Sequence, residues 1–152
     1  MIIDLRKALS LATVGMVLFT ACKKDKDTPA EQNISLRDKP VSEAKAYARG
    51  NWTIHYTFGG LTGSMKTVTS NSSLRLLTND SLYLIFNNQS FAADLAQFER
   101  EETIFGYSSV LMKFRARNNV AHEWSIDSKK GDTLVLMQNS TESVSFYMTP
   151  QQ

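Results

Sequence analysis

The sequence predicts an all-β domain: an antiparallel up-and-down meander that closes into a β-barrel of eight or nine strands, with one short helix. Three observations carry this. Apolar and polar residues alternate at period two over several short runs, as in strands with one face buried. Turn-forming clusters of Gly, Asn, Asp and Ser separate the runs, so neighbouring strands are joined tightly and lie antiparallel. The alternating region is roughly a hundred residues long, enough for one modest core, and a sheet of that many strands loses its exposed edges by curling closed.

The chain begins differently. Arg6 and Lys7 precede an apolar block, Ala8–Ala21, which ends in small side chains; this is the layout of a secretory signal. The block is shorter than the roughly 20 apolar residues that span a bilayer. Residues 1–21 are therefore expected to be removed. Cys22 is the only cysteine in the 152 residues, so no internal disulfide can form, and a lone thiol in an exported chain asks for a purpose. The stretch "FTAC", Phe19 to Cys22, resembles the lipobox of bacterial lipoproteins. That resemblance implies diacylation of the Cys22 sulfur and a mature chain that starts there. Two or three acyl chains anchor a small domain firmly, at about 0.8 kcal/mol per buried methylene. The charges that follow, "KKDKD" from Lys23 to Asp27, resemble the Lys/Asp-rich export signal of Bacteroidota-type surface lipoproteins; a plain solvated tether gives the same composition.

From Cys22 to Ala48 the chain is polar and contains Pro29 and Pro40, which reads as a flexible lipidated tether. A helical turn is expected at Ser42–Ala48, with Ser42 as its cap. The domain proper is expected over residues 49–152. Without residues 1–21 the chain keeps 15 basic and 14 acidic residues. That near-neutral balance, with no concentrated positive charge, argues against nucleic acid as a partner.

Within the domain, Trp52, Ile54, Tyr56 and Phe58 alternate with Asn51, Thr53, His55 and Thr57, which predicts a first strand with those aromatics inward. "LRLLT" and "LYLIF" read as strands apolar on both faces. Phe91, Leu95 and Phe98 recur at helical spacing behind Ser90, so Phe91–Glu102 is expected to be a short helix or lid capped by Ser90. Three further strands place Val110, Met112 and Phe114, then Trp124 and Ile126, then Val144, Phe146 and Met148 on their inner faces. Turns fall at Gly59–Gly60, Ser70–Ser72, Asn79–Asp80, Arg117–Asn119, Lys129–Asp132 and Asn139–Glu142.

The opening "ARGNWTIHY", with Gly50 and Trp52, and the closing "DTLVLMQNSTESVSFYM" resemble the small lipocalin-like domains of lipid-anchored bacterial proteins, over roughly residues 49–149. The resemblance implies a lipocalin-like barrel whose interior is either filled or takes a small apolar molecule. Such an interior would be lined by Trp52, Tyr56, Phe58, Met112, Phe114, His122 and Trp124.

Signals for chemistry are few. His122 shares the face of Trp124 and Ile126, as a ligand contact or as a histidine hydrogen-bonded near a strand end; His55 falls on the polar face. Two histidines without a third ligand do not make a metal site. Glu99, Arg100, Glu101 and Glu102 read as a solvated face. With no phosphate loop and no nucleophile elbow, the sequence points away from an enzyme and from any cofactor. The expected partners are the membrane, through lipid on Cys22, and a small apolar ligand or an envelope protein; a filled core with a recognition surface, such as the basic strip Lys113, Arg115 and Arg117, is the alternative. "DSL" at Asp80–Leu82 and "DTL" at Asp132–Leu134 resemble the O-glycosylation acceptor of Bacteroidota-type envelope proteins, which would make Ser81 and Thr133 the modified residues; unmodified strand-entry turns account for them equally.

Overall fold

Asn33–Ser35 (β1) and Val41–Ala48 (α1) precede ten further strands in the computed structural model, which describes residues 32–152. These are Gly50–Gly59 (β2), Ser64–Thr67 (β3), Ser73–Leu76 (β4), Ser81–Phe86 (β5), Gln89–Leu95 (β6), Gln97–Glu102 (β7), Ser108–Arg115 (β8), Ala121–Lys130 (β9), Thr133–Gln138 (β10) and Val144–Pro150 (β11). The hydrogen-bonded order is β6-β5-β4-β2-β11-β10-β9-β8-β7, and the pairs along it are antiparallel. The two ends of that path, β6 and β7, are separated in the chain by Ala96 alone. The sheet therefore curls closed as an up-and-down, lipocalin-like barrel. A bridge between Ala92 and Ala116 and a bond from the Arg117 amide to the Phe91 carbonyl (2.9 Å) help to close it.

The expected helix over Phe91–Glu102 is strand apart from Ala96, as β6 and β7. Phe91 and Phe98 are half-buried, whereas Leu95 is 61 % exposed, so the three do not form one helical face. The reason lies upstream. Asn87 and Asn88 take positive φ values of 51° and 64°, the conformation of a two-residue hairpin turn, and Ser90 enters the ladder opposite Ile85 instead of capping a helix.

Residues 33–48 also differ from the expected tether, since they are part of the domain. β10 holds one edge of β9 along its length; on the other edge β8 pairs with Ala121–Ser125 and β1 with Ser128–Lys130. β1 thus fills a gap that β8 leaves in the wall. Leu36, Ala44 and Ala48 are fully buried, and α1 lies against β7 and β9. Its N-cap is Pro40, with no side-chain cap, in place of the expected Ser42. A Lys39–Glu43 pair (2.9 Å) supports the first turn. Lys45 reaches Asp80 (2.5 Å), Arg49 reaches the Thr78 carbonyl (2.9 Å), and the Trp52 indole N–H donates to the Ala48 carbonyl (2.9 Å). Together these bonds hold α1 across the end of the barrel where β2 begins.

The core follows the predicted alternation on most strands. Val110, Met112, Phe114, Trp124, Ile126, Phe146 and Met148 are all buried or nearly so. "LRLLT" and "LYLIF" are buried on one face only, through Leu74, Leu76, Leu82 and Leu84; Tyr83 is exposed. Outside the barrel, the β7–β8 turn folds back over the wall. The Ile104 amide donates to Asn139 Oδ1 (2.9 Å) and the Tyr107 hydroxyl lies 3.9 Å from Met137 Sδ; Ser109, Leu111, Ser125 and Val135 are buried on this outer face. Gly59 has φ of 124°, and a Cβ there would lie 2.2 Å from the Ser143 carbonyl oxygen, so the end of β2 demands glycine.

Candidate functional site

The barrel is open at the end opposite α1. A cavity of ≈ 450 Å³ lies there, bounded by β2, β3, the segment that follows β3, β5, the β5–β6 turn and the ends of β9–β11. Leu84, Phe86, Phe91, Val144 and Phe146 supply apolar wall. Trp124 stacks on Phe146 with ring centroids 4.5 Å apart and planes 18° apart, and Phe86 meets Phe146 edge-on at 5.9 Å. Thr57, Lys66, Asn87 and Gln138 add polar groups. The cavity size falls within the roughly 300–1,000 Å³ of sites that take small ligands.

One backbone irregularity decides which β2 residues face inward. Tyr147 pairs with Tyr56 and Met148 with Ile54, so His55 has no residue opposite it. Such a bulge shifts the alternation by one residue. Before it Trp52 and Ile54 point inward; after it Thr57 does, and Tyr56 and Phe58 are turned out, 45 % and 44 % exposed. The expectation that Tyr56 and Phe58 line the interior is corrected accordingly. His55 is held at the bulge by a 2.8 Å bond between Nε2 and Thr149 Oγ1. Lys66 stands opposite Thr57 in the ladder and therefore on the cavity side.

The other residues expected at an interior site are distributed through the barrel. Trp52 is buried at the α1 end, away from the cavity. Met112 and Phe114 are packed in the core and do not line it. Trp124 lines it, and its Nε1 is buried with no hydrogen-bond acceptor among the described residues. His122 borders an adjoining hollow with Trp124 and Gln138. Its ring lies 5.1 Å from Phe91 and stacks on Phe114 at 5.5 Å, and burial pushes its pKa below the usual value.

Lys66, Gln138, Asn87, Phe86 and Phe91 carried no sequence signal as site residues. The Asn87–Asn88 pair was the available clue, because two residues that tolerate positive φ between apolar runs mark a hairpin. A hairpin there would have placed Phe86 and Phe91 on facing strands.

Of the basic strip, Arg115 and Arg117 are exposed, whereas Lys113 is held in ion pairs. Lys113 is bonded to Glu99 (3.1 Å) and Glu101 (2.6 Å), which raises the lysine pKa and lowers that of Glu101. Arg115 bonds to Asn119, and Arg100 holds the Arg37 and Lys39 carbonyls. Ser81 and Thr133 are half-buried first residues of β5 and β10, both at the α1 end. Cys22 and the segments before and after it lie outside the described residues. Among the described residues no group of three His, Asp or Glu side chains could hold a metal ion. No family model, curated protein or solved structure matches the chain.

Proposed function

We propose that this chain is a lipid-anchored cell-envelope protein, acylated on Cys22 and held at the outer membrane, whose barrel binds a small, largely apolar molecule without transforming it. The observation that carries this reading is the ≈ 450 Å³ cavity with its aromatic wall. Apolar wall left facing an open cavity is area that an apolar ligand would remove from water. The anchor rests on the sequence from Arg6 to Cys22, and the charged run after it is compatible with display on the outer face.

The test is titration of the chain from residue 22, carrying Cys22→Ser, with the apolar fluorophore N-phenyl-1-naphthylamine. Saturable enhancement is expected, and Val68→Trp, which puts an indole into the cavity, should abolish it. Equal enhancement in the two proteins would refute the reading. Membrane fractionation tests the anchor separately: Cys22→Ser should move the full chain to the soluble fraction.

A second reading has its own observation. Phe58 and Met65 face each other on the outer side of the β2–β3 hairpin, beside exposed Tyr56 and Leu61, and exposed apolar clusters mark contact surfaces. A structural or assembly accessory would use this hairpin to hold an envelope protein and leave the cavity unused. Its activity would then be lost in Phe58→Asp and retained in Val68→Trp.

A further inference from the structure

The wall of the cavity is unequal in charge. Lys66 is its one ionic residue; no Asp or Glu lines it. Among the described residues Lys66 takes part in no ion pair, unlike Lys39, Lys45 and Lys113. Its ladder position opposite Thr57 puts the side chain on the cavity side of β3. A long side chain there can lay its methylenes along apolar wall and keep the ammonium in the opening.

The Trp124 indole lines the cavity, the residue is 2 % exposed, and its Nε1–H has no acceptor among the described residues. Trp52, at the other end, has the Ala48 carbonyl. A buried donor without a partner is destabilising, and indole nitrogen can only donate. Gln138, directly across the ladder from Trp124, adds an amide to the same part of the wall. An ammonium without a counter-charge favours oxygen atoms bearing negative charge, and the Gln138 amide can donate to the same atoms.

Resting on the reading of the cavity as a ligand site, we infer that it selects amphipathic anions: molecules with an apolar body that packs on Phe86, Phe91 and Phe146 and with carboxylate-type oxygens that meet the Lys66 ammonium and the Gln138 amide. Cations with the same apolar body bind more weakly, because no Asp or Glu in the wall neutralises them and Lys66 repels them. The discrimination is electrostatic and so weakens with salt.

Three probes with one tail and different heads test this: decanoate, decanol and decyltrimethylammonium, each displacing N-phenyl-1-naphthylamine from the Cys22→Ser chain. Decanoate should bind about tenfold more tightly than decyltrimethylammonium at low salt, with decanol between them. Lys66→Met keeps the methylene stem and removes the charge; it should weaken decanoate about threefold to fivefold, the range of a partly exposed ion pair, and leave decanol unchanged. Equal binding of decanoate and decyltrimethylammonium, or decanoate binding indifferent to Lys66→Met, overturns the inference and leaves the ligand site standing. Failure of the fluorophore and all three probes to bind overturns both. Lys66 is exposed, so its variant carries the test without disturbing the core.

Discussion

The two ends of the barrel each present a tryptophan on an inner face, and they use it differently. At the α1 end Trp52 is sealed in: its indole N–H is bonded to the helix, and Leu36, Ala44 and Ala48 close the space around it. At the open end Trp124 is as well buried by area, 2 % against 5 %, yet one side of it borders the cavity and its N–H is unpartnered. Burial alone therefore does not separate a residue in filled core from one that borders a cavity. What separates them is whether the polar group is satisfied and whether the surrounding volume is filled.

The sharpest way to break this comparison is to remove the plug. Deletion of residues 33–48 strips β9 of β1, uncovers the core and takes away the acceptor of Trp52. The expected loss is of the order of the domain's whole stability, about 5–15 kcal/mol, seen as absence of a cooperative urea transition. A chain that still unfolded cooperatively would show that these residues only decorate the barrel. A smaller and more specific change is Trp52→Ala, expected to lower stability by about 3–5 kcal/mol. Trp124→Ala should be less damaging, because its neighbours are already incomplete; parallel urea curves decide, and equal losses would place both in filled core.

The third effect is a pH dependence at the open end. Burial between Phe91 and Phe114 lowers the His122 pKa from its usual value near 6.5. The unfolded chain then binds the proton more readily than the folded one, so this contribution is full above about pH 6.5 and is lost as pH falls through the lower folded value. His122→Gln should flatten stability between pH 7 and 5 relative to the unaltered chain; identical slopes would contradict the burial of this ring. Smallest of all should be Phe58→Ser. With its side chain turned outward, the change should stay within about 0.5 kcal/mol in thermal unfolding, whereas an inward Phe58 would make it several times larger.

Those contrasts also mark what was legible in the sequence. Trp52, Ile54, Met112, Phe114, Trp124 and Phe146 were placed inward by alternation, because period two is the direct imprint of a half-buried strand. Tyr56 and Phe58 were misplaced because a bulge at His55 adds one residue without any distinctive side chain, and one residue reverses every face after it. β6 and β7 carry a helix-like signal because Phe91, Leu95 and Phe98 fall four and three apart; the Asn87–Asn88 pair, two residues that tolerate positive φ, marks the hairpin that overrides it. The role of residues 33–48 was hidden for another reason. Their fully buried side chains are Leu36 and two alanines, with Ile34, Val41 and Tyr47 half-buried against the core, and apolar groups spread among so many charged and polar residues leave a segment looking like solvated chain. The cavity itself was not legible, since Thr57 and Phe91 take part in it only through the bulge and the hairpin that the alternation does not reveal, and only the curling of the sheet brings its lining together.

The claim that one end is filled and the other is a ligand site is tested most directly by the two indoles themselves. In Trp52→Phe only Trp124 emits, and in Trp124→Phe only Trp52 does. Titration of each with a bromine-tagged decanoate, which quenches on contact, should extinguish Trp124 emission saturably and leave Trp52 emission unchanged. Equal quenching of both, or quenching of Trp52 alone, would contradict the account.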